Sequence, residues 1–299
     1  MRTGRSGFLA LGCLSCFSIA IACSDSDDGG TPATSDEAGA PDGSNDRGVA
    51  SDTGSGDAGA DRWVPCSARP TPDAAHLCAD FDYSSPVESF FTTTAKTGDA
   101  VFEGTTAASS PPRALRVHAG TDAGEVARAQ LIWQTSLANK KKIVASFDLH
   151  LDGHQGTDPV QFLALQLDNA ECVTQAPLKT RSFDLLIGGG KVSLGIRGLN
   201  ACGDAGTDFA AHAVTNDLTA LEATGFAHVS IEVAKGACAG ESGAASVRAT
   251  VNGTSICKSV ALDPFAISTN VSALLGVFAG GETTSQNNFI YDNVTVDSE

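Results

Sequence analysis

The chain has 299 residues, of which 42% are hydrophobic and 18% charged, and its formal net charge is −16 at pH 7. An acidic chain is poorly suited to the phosphate backbone of nucleic acids, so we exclude a nucleic-acid partner. The length is sufficient for one sizeable core, and the nine cysteines suit a protein exported to an oxidising compartment.

The N-terminus has the pattern of an export signal. Arg2 and Arg5 precede an apolar run over residues 8–22, which is shorter than the ~20 residues that a membrane-spanning helix needs. The run ends in Ala20-Ile21-Ala22-Cys23, which resembles the processing site of bacterial lipoproteins. We therefore predict a lipoprotein signal peptide over residues 1–23, with acylation of Cys23 as the membrane anchor. An ordinary cleaved signal with a chance cysteine is the alternative.

Residues 24–62 form a low-complexity segment of Gly, Ala, Ser, Thr and Asp with almost no large apolar side chain. Such a segment buries too little surface to offset its chain entropy, which predicts a disordered linker. This segment contains nine Asp and one Glu but only two basic residues, Arg47 and Arg62, so the linker holds half of the chain's net charge. The overall acidity therefore describes a spacer more than a binding surface.

The remaining residues, 63–299, predict one all-β domain. Short runs alternate apolar and polar residues and are interrupted by Gly, Asn, Asp and Pro. In residues 143–152, Phe147 and Leu149 share an apolar face while Asp148 and His150 share a polar one. About a dozen such strands predict a two-sheet antiparallel sandwich. Glycine-rich turns predict hairpins at residues 188–190 and 252–253, and Trp133 is predicted to lie in the core.

Six cysteines remain after the leader and the lipidated Cys23 are set aside. Six is an even number, and the exported compartment is oxidising, so we predict three disulfides. Fifteen pairings are possible, and we favour pairing between neighbours in the sequence: Cys66–Cys78, Cys172–Cys202 and Cys238–Cys257.

The two ends of this domain carry a resemblance to a known superfamily. The opening Leu77-Cys78-Ala79-Asp80-Phe81-Asp82, the late segment 225–233 and the closing segment 289–296 resemble the concanavalin A-like lectins and glucanases, including laminin G-like domains. The resemblance implies a jelly-roll sandwich in which the first and last strands pair. It also implies a protein that often binds sugars and sometimes hydrolyses them. Phe226 departs from the pattern, because many members have Trp there.

Catalytic signals are weak. The resembling glucanases carry Glu-x-Asp-x-x-Glu on one strand, and this chain contains no Glu-x-Asp. An unusual pair such as Asp148 and Glu232, on different strands, stays open as an alternative. We therefore expect a lipid-anchored envelope protein with a non-catalytic domain for glycan binding or adhesion. A glycoside hydrolase or polysaccharide lyase of the same fold, and a purely structural envelope protein, are the alternatives.

The candidate sites follow from the polar faces of the predicted strands. The candidate glycan-binding residues are Asp148, His150, Gln166 and Glu232. Asp292 has the same parity as Val294 and Val296, which predicts an inward-facing carboxylate that needs a hydrogen bond or a metal. The resembling proteins often hold a structural Ca²⁺ near their terminal strands, which makes Asp292 with Asp80 or Asp82 the candidate calcium site. A hydrogen bond from loop amides to Asp292 is the alternative. We expect a monomer at the outer membrane or cell surface.

Overall fold

The structure is a computed structural model that describes residues 76–81, 91, 93–96, 101–109, 113–119, 127–154, 159–168, 181–199, 209–222, 225–279 and 287–299. The chain divides into two units, Met1–Ala60 and Asp61–Glu299. The first unit lies outside the described residues, as do Cys23 and the linker. Among the helices of the described ranges, none has the length and apolar character needed to cross a membrane.

The described part of the second unit is almost entirely β-structure, which confirms the predicted fold class. Its strands are β1 (His76–Ala79), β2 (Thr93–Lys96), β3 (Val101–Thr105), β4 (Ala114–Ala119), β5 (Ala127–Ser136), β6 (Lys142–His154), β7 (Val160–Asp168), β8 (Arg181–Gly188), β9 (Lys191–Arg197), β10 (Phe209–Thr215), β11 (Ala227–Lys235), β12 (Ala245–Val251), β13 (Thr254–Val260), β14 (Asn270–Ala279) and β15 (Asn287–Ser298). Two short helices, α1 (Thr219–Glu222) and α2 (Pro264–Ile267), lie between strands.

These strands form two antiparallel sheets packed face to face, as in a jelly roll. In the described ranges, one sheet has eight strands in the order β13-β12-β11-β6-β15-β4-β3, with β1 also pairing with β15. The other has seven, in the order β10-β9-β8-β7-β14-β5-β2. The pairing of β1 with β15, which aligns His76 with Asp297, confirms the expected pairing of the first and last strands.

The predicted hairpin turns are present. Asn252 and Gly253 both have positive φ, 46° and 83°, and connect β12 to β13. Gly189 and Gly190, at 58° and 74°, connect β8 to β9 in the same way. Two consecutive residues with positive φ match the right-handed twist of the flanking strands, which is why Asn-Gly and Gly-Gly mark such turns.

The core lies between the sheets and contains Trp133, as predicted. Phe147 of the eight-stranded sheet meets Phe162 of the other sheet edge to face, with ring centroids 6.3 Å apart. The buried Tyr291 donates its hydroxyl hydrogen to the carbonyl oxygen of Phe162 at 3.0 Å. One hydroxyl of β15 therefore hydrogen-bonds across the core to β7, because a buried hydroxyl must find an acceptor.

One register prediction is wrong. The pairing of β15 with β6 shifts between Asp292 and Thr295, and Asn293 has a φ of 52°. This bulge reverses the parity of the strand, so Asp292 pairs with Asp148 on the outer face instead of pointing inward with Val294. Asp292 is nevertheless fully buried, and its carboxylate accepts a hydrogen bond from the Asn293 backbone N–H at 2.8 Å.

Cys238 and Cys257 form a disulfide with an S–S distance of 1.99 Å, as the neighbour pairing predicts. Cys78 is also disulfide-bonded. Cys66, Cys172 and Cys202 lie outside the described residues.

Candidate functional site

A groove crosses the outer face of the seven-stranded sheet and has a volume of about 300 Å³. We call it the seven-strand groove. Arg128, Gln130, Gln161, Ala164, Gln166, Ser182, Asp184, Arg197, Leu274 and Phe278 line it. The lining comes from strands β5, β7, β8, β9 and β14, so a long, regular scaffold positions the polar groups.

Strand alternation explains most of this lining. In β5, Ala129, Leu131 and Trp133 enter the core, so Arg128 and Gln130 face the groove. In β7, the pairing with β8 shifts between Gln161 and Leu163, and both Phe162 and Leu163 face the core. This bulge turns Gln161 to the groove side, on the same face as Gln166.

Hydrogen bonds order one side of the groove. The Arg128 Nε donates to Gln130 Oε1 at 2.8 Å, and Gln130 Nε2 donates to Gln161 Oε1 at 3.2 Å. Gln130 is almost fully buried, so its orientation is held by these two hydrogen bonds. The chain of bonds links β5 to β7 across β14 and presents a guanidinium beside two amides.

The other side of the groove contains a buried carboxylate. Asp184 has no solvent-exposed surface, and neither of its oxygens makes a hydrogen bond of normal geometry. Its cationic neighbour is Arg197, whose Nη2 lies 3.5 Å from Asp184 Oδ2. Burial raises the pKa of the Asp184 carboxyl, and the nearby Ser182, Arg197 and Gln161 only partly offset this.

The outer face of the eight-stranded sheet carries a different polar cluster, centred on Asp148. Its Oδ2 accepts hydrogen bonds from Ser109 Oγ and Asn293 Nδ2, both at 2.7 Å. Its Oδ1 lies 3.0 Å from His228 Nδ1. Burial alone would raise the pKa of Asp148, but the hydrogen bonds from His228, Ser109 and Asn293 outweigh it and lower that pKa.

His150 lies two residues further along β6, beside an open hollow lined also by residues 106–109, Gly225 and Phe226. Its Nδ1 donates to the carbonyl oxygen of Gly225 at 3.1 Å, and its ring lies 5.6 Å from the Phe226 ring. These interactions fix the ring orientation and leave Nε2 as a hydrogen-bond acceptor.

Glu232 lies on the same face as Asp148 but is remote from it. Strand β11 pairs His228 with Asp148 and Glu232 with Val144. Four residues of strand therefore separate the two carboxylates, or roughly 13 Å. Retaining glycosidases need about 5–5.5 Å and inverting ones about 6.5–9.5 Å, so this pair does not fit glycoside hydrolysis. Glu232 instead lies 3.7 Å from Lys142 Nζ.

The predicted glycan-binding residues do not form one site. The structure brings Asp148 and His150 together and places Glu232 further along the same face. Gln166 lines the seven-strand groove on the opposite side of the sandwich. Sequence reasoning missed Arg128, Gln130, Asp184 and Arg197. The usable signal for Arg128 and Gln130 was the polar face of β5 opposite Trp133.

The calcium candidates are partly described. In the described ranges no group of three or more His, Cys, Asp or Glu side chains is arranged to hold a metal ion. Asp80 follows β1, whose last residue, Ala79, pairs with Val294, so Asp80 lies near the bulge that contains Asp292. Asp82 lies outside the described residues.

Comparison with known proteins shows the fold. No protein-family model and no curated protein matches the sequence. Among solved structures, an endo-β-1,4-glucuronan lyase from Trichoderma reesei is similar, with a TM-score of 0.54 and 10% identity over 70% of this chain and 91% of that chain. An alginate lyase from a Chlorella virus has a TM-score of 0.49 and 10% identity over 68% of this chain and 90% of its own. The likeness to the first of these supports the jelly-roll sandwich fold.

Proposed function

We propose that this protein binds an acidic glycan in the seven-strand groove and does not cleave it. The observation that carries the proposal is the lining itself, in which two arginines and three glutamines converge over a buried floor. Amide and guanidinium groups are fixed donors for sugar hydroxyls and carboxylates. A concave face with a few oriented polar groups is the usual setting for a small-molecule or sugar site.

The charges favour an anionic ligand. Arg128 and Arg197 are both charged, whereas burial disfavours the ionised form of Asp184, the one acidic residue in the described lining. The groove is therefore more positive than the chain's net charge of −16 suggests. The name of the Trichoderma reesei neighbour, a glucuronan lyase, refers to an acidic polysaccharide and agrees with this choice.

A binding role fits the groove better than cleavage. General acid–base chemistry requires a proton-transferring side chain within hydrogen-bond reach of the sugar. The described lining contains no His, Tyr, Lys or Glu, and its one acid, Asp184, has no exposed surface from which to reach a sugar. The alternative is a polysaccharide lyase, and its test is the ultraviolet absorbance of unsaturated uronates when the purified protein is incubated with polygalacturonate. A rise in absorbance would replace the binding proposal.

The test of binding is a titration of the purified protein with polygalacturonate, with neutral dextran as the uncharged comparison. We expect binding of polygalacturonate only. Arg128→Ala should weaken it by roughly tenfold to a hundredfold, because a charge-assisted hydrogen bond contributes about 1.5–3 kcal/mol. The matched control is His150→Ala, a partly buried ring on the opposite face. Equal losses in the two variants, or none in Arg128→Ala, would refute the assignment of the groove.

We also propose that acylated Cys23 anchors the chain in a membrane after export, with residues 24–62 as the spacer and the domain at the outer membrane or cell surface. The motif Ala20-Ile21-Ala22-Cys23 supports this. The test expresses the full chain with a fatty-acid analogue and compares it with Cys23→Ser. Unchanged labelling and membrane retention of the variant would refute the proposal.

One structural Ca²⁺ near Asp80, Asp82 and Asp292 is a further proposal, supported by the position of Asp80 beside the β15 bulge. Carboxylate oxygens are the ligands that this ion prefers. Its test is the thermal midpoint with and without chelator. A midpoint that chelator leaves unchanged would refute the calcium site.

A further inference from the structure

An exposed aromatic ring flanks the seven-strand groove at its β10 end. Among the described residues, Phe209 is the one large hydrophobic side chain that is exposed, at 47%. It lies on the edge strand β10 and pairs with Arg197 of β9. The Arg197 guanidinium carbon lies 5.1 Å from the ring centroid, which is within the range of a cation–π interaction.

A glycine allows this ring to approach the sheet. A Cβ atom added at Gly195 would lie only 2.8 Å from Cε2 of Phe209. The ring therefore covers backbone that a side chain would otherwise occupy, while Phe209 as a whole stays 47% exposed. On the far side of Gly195, the paired residue is Asp184 of β8. Phe209, Arg197 and Asp184 thus surround one glycine.

Asp184 and the ligand would compete for Arg197. Neither oxygen of the buried Asp184 makes a hydrogen bond of normal geometry, and Arg197 lies 3.5 Å from it. Asp184 interacts with Arg197 from β9, Gln161 from β7 and Ser182 from its own strand. The other charged and polar groups of the groove lining are Arg128, Gln130 and Gln166. When Asp184 is ionised, Arg197 neutralises it; when Asp184 is protonated, the guanidinium can accept another anion.

We propose that Phe209 and Arg197 form a subsite for one anionic sugar residue, and that Asp184 controls this subsite by releasing Arg197 when it is protonated. This inference rests on the proposed binding of an acidic glycan. The apolar face of the sugar ring packs against the exposed face of Phe209, and the sugar carboxylate accepts hydrogen bonds from Arg197. Asp184 acts through Arg197 and is therefore a positioning residue.

The expected consequence is a pH dependence of affinity. Between pH 5 and pH 8 a uronate carboxylate stays ionised, because carboxyl groups of this type titrate at about pH 3.5. Burial raises the pKa of Asp184 above its ordinary value, so its protonated form persists to higher pH than that of an exposed aspartate. Affinity for the anionic sugar should therefore fall as pH rises, since ionised Asp184 both retains Arg197 and repels the ligand.

The experiment measures the affinity of the purified protein for polygalacturonate at pH 5 and pH 8. We expect wild-type binding to be about tenfold tighter at pH 5, which is the size of effect that one additional charge-assisted hydrogen bond to the sugar produces. Asp184→Asn should bind tightly at both values. Asp168→Asn is the matched control, because the carboxylate of Asp168 on β7 is already hydrogen-bonded by Gln134 at 2.6 Å and by Ser272 at 3.0 Å. It should keep the wild-type profile.

Phe209→Ala should weaken binding several-fold at both pH values, and Phe209→Leu serves as the second variant if the alanine form is unstable. If wild type and Asp184→Asn show the same pH dependence of affinity, the proposal that Asp184 regulates Arg197 is wrong. Unchanged affinity in both Phe209 variants would overturn the subsite, while a loss in Arg128→Ala would still support the groove. Absence of wild-type binding at both pH values would overturn the groove and the subsite together.

Discussion

Asp148 and Asp184 lie on the two opposite outer faces of the same sandwich, and their surroundings differ. Asp148 interacts with the side chains of Ser109, His228 and Asn293. Asp184 is more deeply buried, makes no hydrogen bond of normal geometry, and has Arg197 as its cationic neighbour. The first carboxylate joins β6, β11 and β15, whereas the second is retained at a cost to stability. Under the proposed function, this difference assigns a structural role to the Asp148 face and a binding role to the Asp184 face.

The arginines of the two faces support the same comparison. On the eight-stranded sheet, Arg116 lies 2.9 Å from Asp152 and 3.4 Å from Glu103. In the seven-strand groove, Arg128 donates to a neutral amide, that of Gln130. An arginine between two carboxylates is already neutralised, whereas the amide of Gln130 that accepts from Arg128 carries no charge.

The largest expected effect is the loss of Asp148. Asp148→Ala removes the acceptor of three donors, one of them on the buried Asn293, and should lower the free energy of unfolding by about 2–3 kcal/mol. Asp152→Ala, on the same strand and face, breaks a partly exposed ion pair and should cost less than about 1 kcal/mol. Urea unfolding of both variants measures the difference. Similar midpoints would mean that the Asp148 cluster is not structural.

Substitution of Asp292 tests whether the β15 bulge beside this cluster buries its carboxylate. Asp292→Ala removes a fully buried acceptor of the Asn293 backbone N–H and should cost about 1–3 kcal/mol. Asp297→Ala, whose carboxylate interacts with the partly exposed His76, should cost less. Thermal melting of both variants checks the order. Equal melting temperatures would contradict the burial of Asp292, and a chelator effect on wild type alone would identify calcium as its partner.

Asp184→Asn should raise the free energy of unfolding, whereas the two preceding substitutions lower it. It replaces a buried carboxyl, whose ionisation burial disfavours, by a neutral amide of nearly the same volume, so we expect stabilisation by about 1 kcal/mol at neutral pH. Urea unfolding at pH 7 measures it, with Asp168→Asn as the control for an aspartate of the same sheet that is already hydrogen-bonded. Destabilisation by Asp184→Asn would show that its interaction with Arg197 supports the fold.

The smallest expected effect is the pH dependence of the stability changes caused by Asp148→Ala and Asp184→Asn. The pKa of Asp148 is lowered, so its stabilisation is present above the ordinary aspartate pKa and is lost as pH falls towards the lowered value. The pKa of Asp184 is raised, so its cost appears as pH rises through the raised value. The gap between wild type and each variant should therefore widen with increasing pH in both cases, with opposite signs. If the difference in free energy of unfolding between wild type and Asp184→Asn is constant from pH 4 to pH 8, burial does not raise the pKa of Asp184.

Much of the fold could be predicted from the sequence, but the site could not. Alternation in residues 143–152 and the turn at Asn252-Gly253 are local signals, and they predict strands, faces and hairpins correctly. Bulges are not local signals: those at Gln161–Leu163 and Asp292–Thr295 change the face of every residue beyond them. The groove combines side chains from several strands, and their meeting depends on sheet order, which alternation does not reveal. Phe209 was missed because strand β10 was not predicted.

The proposed function places the ligand in the seven-strand groove and not on the Asp148 face. The most direct measurement is a backbone amide NMR titration of the isotope-labelled protein with a short oligogalacturonate. We predict chemical-shift changes concentrated in β5, β7, β8 and β9, including Asp184 and Arg197, with β6 and β11 unchanged around Asp148 and His228. Chemical-shift changes concentrated around Asp148, His150 and His228, with none in the groove strands, would show that the ligand does not bind the seven-strand groove.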